Sequence, residues 1–268
     1  MKWLKILEEG FVYDYIYCNE SLDPTLRTFL IVTALVATAV IAYLIGSLNF
    51  AILLSRKKHD DIRDHGSKNA GTTNMLRTYG KRMAVVTLLG DFLKAVIAVR
   101  IGALICGEFP YFSGMYIAAL FCIVGHIFPV YFKFKGGKGI AAAAGAILAC
   151  GEWSVLLILL LIFVIVVIGT KYVSLASIMV SLMYPLILDR CRLHPAVQSA
   201  RTNVIIAMII GLLVFIMHWE NVKRLANHTE RKFSFKKKND DETASDEQQL
   251  PEAQKSKKSL HHIDDEEN

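Results

Sequence analysis

Five long runs carry no Asp, Glu, Lys or Arg and are mostly apolar: Thr28 to Ser55, Phe109 to Phe132, Trp153 to Thr170, Tyr172 to Leu188 and Thr202 to Trp219. About 20 apolar residues cross the hydrocarbon core of a bilayer. In that core every backbone polar group must be satisfied within the segment, so such runs fold as membrane-spanning helices. A sixth span is expected over roughly Met83 to Gly107, although it carries Asp91, Lys94 and Arg100. The run Gly139 to Gly151 has only 13 residues and reads as a short or broken helix. The expected fold is therefore all-α: a polytopic integral membrane protein of about seven transmembrane helices, one of them short or broken. A hydrophobic content of 54% agrees, being too high for an ordinary soluble domain.

The first run lacks a small-residue cleavage site and is too long for a signal peptide, so it reads as a retained helix. Cys18, Cys106, Cys122, Cys150 and Cys191 are odd in number, follow no ligand spacing and lie mostly in or beside apolar runs. Buried thiols fit them better than disulfides or zinc. Neither a metal nor any other cofactor is expected. Lys and Arg number eight in Arg56 to Arg82, three in Lys133 to Lys138 and seven in Lys223 to Lys238. The intervening loops are poorer, with none between Cys106 and Phe112 and three in Asp189 to Arg201. The positive-inside rule then puts the basic loops and C-terminus in the cytoplasm and the N-terminus outside the cell membrane.

Three regions follow: an extracytoplasmic segment at 1–27, a membrane domain at 28–226 and a cytoplasmic tail at 227–268. From about Asn239 the tail is charged and almost free of aromatic and branched residues, so disorder is expected. Lys232 and Lys236 to Lys238, interleaved with Phe233 and Phe235, suit an anionic membrane surface. The lipid bilayer is thus an expected partner. The net charge of +6 is weak evidence for nucleic acid, which is not expected as one.

Chemistry concentrates in the basic loops. In "GSKNAGTTN", Gly66 and Gly71 permit backbone conformations that turn successive N–H groups toward one point, and Ser67, Thr72 and Thr73 add hydroxyls, which together describe an anion cradle. In "KFKGGKGIA", Lys133, Lys135 and Lys138 surround Gly136, Gly137 and Gly139 just before the short apolar helix, whose N-terminus suits phosphate. Flexible topological loops would look similar singly, but two of them facing one compartment favour phosphate binding. Neither has the nucleotide P-loop spacing.

These residues resemble a known family. "GSLNFAILLS", "DIRDHGSKNAGTTNMLRTYG", "GHIFPVYFKFKGGKGIA", "SLAS" at Ser174 to Ser177 and "HWENVKRL" at His218 to Leu225 are similar, in the same order, to the bacterial acyl-phosphate:glycerol-3-phosphate acyltransferases, the PlsY family. The resemblance implies a seven-helix membrane enzyme that moves an acyl chain from acyl phosphate to the sn-1 hydroxyl of glycerol 3-phosphate. The products would be lysophosphatidic acid and phosphate, in the first step of phospholipid synthesis. A functional link to an enzyme that makes acyl phosphate is implied as well.

By the same resemblance, Ser67, Arg77, Lys138 and Asn221 are the expected catalytic residues. Gly66, Asn69, Gly71, Thr72, Thr73, Asn74, Gly136, Gly137, Ser174 or Ser177, His218 and Arg224 are the expected substrate-binding ones. The chain departs from the family pattern at Lys68 and Ala70 in the first loop, at Asn49 where proline is common, and at Trp219 where arginine often follows the histidine. An acyl phosphate is already activated, so the protein needs mainly to orient it, stabilise the departing phosphate and screen two phosphates from each other. No covalent nucleophile is required.

Other features compete for a role. His59 and Asp64 have the H-x-x-x-x-D spacing of a base dyad used by other glycerolipid acyltransferases, a pattern that arises easily by chance. Asp91 and Lys94, three apart on one face of a span, suit either a structural ion pair or substrate contact. His126 reads as a buried hydrogen-bonding residue near the second loop. Asn221 and Arg224 share a face that suits glycerol 3-phosphate, or else anchors the helix at the interface. A phosphate or organic-anion transporter is the alternative function, and a non-catalytic membrane scaffold a third. The lack of an inverted repeat and the one-sided polar motifs argue against transport.

Overall fold

A computed structural model describes residues 10–107, 109, 113–191 and 199–232, and Met1–Arg231 forms one packed unit. The tail whose disorder the sequence predicts, and the cluster Lys236 to Lys238, lie outside the described residues. Ten α-helices are present among the described residues. They are α1 (Pro24–Gly46), α2 (Phe50–Arg56), α3 (Thr72–Tyr79), α4 (Lys81–Cys106), α5 (Gly114–Ile127), α6 (Ile140–Ala149), α7 (Trp153–Thr170), α8 (Val173–Cys191), α9 (Ser199–Met217) and α10 (Trp219–Ala226).

The expected all-α membrane architecture is present. By length and apolarity four helices can cross a bilayer, and a fifth span forms if α9 and α10, bent by 55°, are counted together. The other two helices of the expected seven fall short of that standard for different reasons. Charge excludes α4, although its 26 residues reach about 39 Å. Length excludes α6, whose 10 residues reach about 15 Å, half of the ~30 Å hydrocarbon core. α5 packs against α1 and α4, α6 against α4, and α7, α8 and α9 follow in sequence. The core between them is built from small and branched residues such as Ala95, Ala98, Ala118, Ile123, Ala142 and Ala207. Cys106, Cys122 and Cys150 are buried, whereas Cys18 is exposed.

One expectation is corrected. The uncharged run Thr28 to Ser55 is not a single helix but breaks at Ser47, Leu48 and Asn49. Asp23 caps the start of α1 by accepting from the Thr25 and Leu26 N–H groups, with Pro24 at its first position. Asn49 caps α2, its Oδ1 accepting from Ile52 N at 3.1 Å. A break inside an apolar bundle orphans backbone groups that cannot reach water. Here the buried charges of α4 satisfy them. Lys94 Nζ donates to Leu48 O at 2.6 Å, and Asp91 Oδ1 receives Phe50 N at 3.4 Å. The same ammonium lies 2.9 Å from Asp91 Oδ1 and 2.9 Å from His126 Nδ1, so its three N–H donors meet three acceptors. Nδ1 also lies 3.5 Å from Asp91 Oδ1, and if it accepts from the nearer ammonium the imidazole proton sits on Nε2. Of the two roles open to Asp91 and Lys94, the geometry is that of a structural pair.

Candidate active site

The first loop is organised by Asn74, which is buried. Its Nδ2 donates to Ile62 O, His65 O and Asn69 O at 3.1, 2.9 and 3.1 Å, while Oδ1 accepts from Ser67 N at 3.0 Å. Gly66 sits at φ +57°, and a Cβ there would lie 2.3 Å from Asn74 Oδ1, so this position needs glycine. Asn74, expected to bind substrate, is thus saturated by the loop it holds. The cradle is also narrower than expected, because the N–H groups of Ser67, Lys68 and Gly71 are engaged within the loop. The first-turn N–H groups of Thr72 and Thr73 stay without an intrahelical acceptor at the N-terminus of α3. The Ser67 residue is exposed beside them.

The second loop returns beneath the first. Gly136 N and Gly137 N donate to Ile127 O and His126 O at 3.0 and 3.1 Å. These two groups, expected at a phosphate, are used to close the loop onto the end of α5. A Cβ on Gly137 would fall 2.2 Å from His126 Nε2 and 2.6 Å from Ala70 O, so the absence of a side chain lets the two loops touch. Two residues that sequence reasoning did not single out fasten the contact. Arg63, paired with Asp61 at 2.6 Å, donates from Nη1 to Phe132 O at 2.9 Å and to Lys135 O at 3.1 Å. Arg56 lies 5.0 Å from the centre of the Phe132 ring.

Above this contact the cations converge. Lys138 donates to Asn221 Oδ1 in a short hydrogen bond, Asn221 Nδ2 donates to Glu230 Oε1 at 2.9 Å, and Arg224 Nε donates to Glu230 Oε2 at 2.7 Å. Arg77 reaches the same carboxylate electrostatically from α3, with Arg231 repelling it from nearby. Burial, then Arg224 and Arg77, push the Lys138 pKa down to about 8, with Glu230 opposing. Partial desolvation and the neighbouring Arg231 and Arg224 lower that of Arg77, although its side chain also reaches solvent. Burial works to raise the Glu230 pKa, but the hydrogen bonds from Arg224 and Asn221 outweigh it and the net shift is downward. Lys138, Arg77 and Arg224, three cations around one carboxylate among the described residues, leave a positive surplus.

The remaining expected residues separate. Ser174 is buried beside Glu230 without a hydrogen bond of ordinary geometry, whereas Ser177 Oγ donates back to Val173 O at 2.9 Å. Of the two serines, Ser174 belongs to the cluster. His218 is buried at the α9–α10 bend, with Nδ1 bonded to Val214 O at 2.8 Å and Lys138 close by. Asn69, half-buried, stays with the first loop. On that loop the hydrogen-bonded pair is His65 with Asp60, 2.8 Å apart, and not His59 with Asp64.

The profile of the glycerol-3-phosphate acyltransferase family matches residues 36–228, a span that contains both loops and the bend. The chain belongs to this family. A glycerol-3-phosphate acyltransferase of Mycoplasmopsis agalactiae is 38% identical over 221 residues, covering 72% of this chain and 91% of the relative. One of Coxiella burnetii is 38% identical over 203 residues, covering 74% and 98%. Among solved structures, the glycerol 3-phosphate form of PlsY, an integral membrane glycerol 3-phosphate acyltransferase, is 33% identical. It aligns at a TM-score of 0.65 over 75% of this chain and 96% of that one. Its lysophosphatidic acid form aligns at 0.63. The protein is accordingly a membrane acyltransferase, and the transporter alternative finds no support.

Family membership makes the departures interpretable. Lys68, where the family commonly has glycine, sits at φ +57°, a backbone conformation that glycine adopts without strain. Asn49, in place of a common proline, caps α2 and also donates to Ala70 O at 3.3 Å, tying the helix break to the first loop. Trp219 is 52% exposed at the start of α10 and meets Phe215 edge to face, as an interfacial anchor does. Glu230 was missed by sequence reasoning. The turn after α10, where His228 takes φ +55° and Glu230 N returns to Arg224 O at 3.1 Å, brings it to the cluster, and no spacing in the sequence marks it.

Proposed function

We propose that this acyltransferase takes its acyl chain from acyl phosphate and delivers it to the sn-1 hydroxyl of glycerol 3-phosphate. The observation that carries this reading is the convergence of Lys138, Arg77 and Arg224 beside Asn221, with more positive charge than one carboxylate offsets. The glycerol 3-phosphate and lysophosphatidic acid forms of the solved relative support the acceptor and product. In this reading Lys138, Asn221 and Arg224, with Ser174 and His218, receive glycerol 3-phosphate. Ser67, the start of α3 and Arg77 hold the acyl-phosphate group between the two loops.

The sn-1 oxygen attacks the acyl carbonyl carbon, an ester C–O bond forms, and the anhydride C–O bond to phosphate breaks. Phosphate leaves with that electron pair, and one of its oxygens accepts the hydroxyl proton. Cations and N–H groups stabilise the charge that collects on it. The basic loops face the cytoplasm and the N-terminus lies outside, as the distribution of Lys and Arg supports. The test is phosphate release from palmitoyl phosphate by purified protein. Release is expected only with glycerol 3-phosphate present, and with acyl-CoA as donor, whose leaving group would be the CoA thiol, no lysophosphatidic acid should form; equal lysophosphatidic acid formation from acyl-CoA would reject the donor assignment.

A further inference from the structure

Among the described residues Glu230 is the one carboxylate in the cation cluster, and its side chain is only 8% exposed. Its two oxygens are not equivalent. Oε1 receives Asn221 Nδ2 at 2.9 Å and Oε2 receives Arg224 Nε at 2.7 Å. A carboxylate accepts only, so it compels Asn221 to turn its amide nitrogen toward residue 230 and its carbonyl oxygen toward Lys138. Reversed, that amide would present N–H to an ammonium, donor against donor. The Nε bond likewise fixes the plane of Arg224 while using one of its five N–H donors.

We propose that Glu230 is a positioning residue for glycerol 3-phosphate, orienting Asn221 and Arg224 so that they and Lys138 form one preset phosphate receptor. The inference rests on the functional reading above. Cost and gain are separable here: one negative charge is retained near an anion site, and the order of three side chains, Asn221, Arg224 and Lys138, is obtained in return. The turn at His228 brings residue 230 back to α10, with Thr229 N also bonded to Arg224 O at 2.8 Å, so the carboxylate is placed by backbone geometry. The opposite role, a carboxylate that plugs the phosphate position until substrate displaces it, predicts the opposite sign on binding.

The decisive measurement is thermal stabilisation of full-length protein in detergent by glycerol 3-phosphate alone, which does not depend on the donor. Glu230→Gln retains size but offers one acceptor and one donor to two donors. It is expected to weaken glycerol 3-phosphate about tenfold, as loss of a charge-assisted hydrogen bond does. Glu230→Asp, which keeps the charge but is one methylene shorter, should fall between, and it decides the matter if the Gln variant does not purify.

In turnover, the KM for glycerol 3-phosphate should rise and that for palmitoyl phosphate should not. The alkaline limb of kcat/KM should also move to lower pH in Glu230→Gln, because Lys138 loses the one carboxylate that opposes it among the described residues while Arg224, Arg77 and His218 still face it. A loss shared equally by both substrates would return Glu230 to a structural role, and tighter glycerol 3-phosphate binding would replace positioning by the plug. A wild type that binds glycerol 3-phosphate but does not turn over palmitoyl phosphate would reject only the donor.

Discussion

Asp91 and Lys94 lie at 1% and 3% exposure inside the helix bundle, while Lys138, Arg77 and Arg224 lie at its polar end with only Glu230 among the described residues to oppose them. Within the bundle every N–H of Lys94 has an acceptor, and those acceptors include a backbone carbonyl freed by a helix break. At the polar end the cations repel one another, and burial lowers the Lys138 pKa although a carboxylate is near. The first group is complete as it stands; the second is complete only with an added anion. Charge balance therefore separates the ionisable residues that hold this fold from those proposed to bind substrate, where proximity to the membrane does not.

The strongest way to break that comparison is to unbalance the closed group. Asp91→Asn keeps the shape and still offers an acceptor to Phe50 N, but it leaves Lys94 with a buried charge and no counter-charge. Removing one partner of a buried pair costs about 3–5 kcal/mol. Lower yield and a large fall in thermal stability in detergent are expected, whatever substrate is added. Replacing both residues by apolar ones should not restore stability, because Leu48 O and Phe50 N would lose their partners. Wild-type stability in Asp91→Asn would show that the pair does not hold the break.

The mirror experiment removes a charge from the open group. Lys138→Ala deletes a cation whose neighbours repel it, so the fold should lose little. One charge-assisted contact to phosphate is worth about 1.5–3 kcal/mol, which corresponds to about a 10- to 150-fold fall in kcat/KM. Near-normal turnover together with a large loss of stability would invert the comparison.

A smaller effect sharpens it by pH. In the proposed function it is the ammonium form of Lys138 that binds phosphate, and its pKa near 8 means that this form is lost as pH rises through that value. The kcat/KM for glycerol 3-phosphate should decline above about pH 8, and the limb for kcat should lie higher because a bound phosphate favours the charged lysine. Lys138→Arg should abolish the limb, since a guanidinium does not deprotonate in this range. An unchanged limb in that variant would assign the titration to another group.

Much of this was legible before any fold was known. Lengths of uncharged sequence located the membrane helices, and the motifs around Gly66, Lys138 and His218 identified the family and most of the converging residues. Two things were hidden for physical reasons. An uncharged run carries no mark of a break whose orphaned groups are satisfied from another helix, so α1 and α2 looked continuous until Lys94 was seen at Leu48 O. Glu230 has no telling spacing to its partners and stands in a segment whose composition reads as tail; only the turn at His228 brings it to Asn221 and Arg224. In the loops, glycines suggested N–H groups open to phosphate, whereas those of Gly71, Gly136 and Gly137 close the loops themselves.

The smallest expected effect tests the comparison from outside both groups. His59 is exposed at φ +58°, with its ring in neither cluster, and the pair formed nearby is Asp60 with His65 and Tyr79. An exposed side chain with no special contact changes stability by within about 0.5 kcal/mol when truncated. A general base removed from a reaction costs about 10²–10⁴-fold in rate. If the leaving phosphate accepts the proton, His59→Ala should turn over palmitoyl phosphate and glycerol 3-phosphate at close to the wild-type rate, while Arg77→Ala and Asn221→Ala prepared alongside should not. The reverse ranking would mean that a neutral imidazole at the rim of the first loop, and not the surplus of cations around Lys138, governs the chemistry.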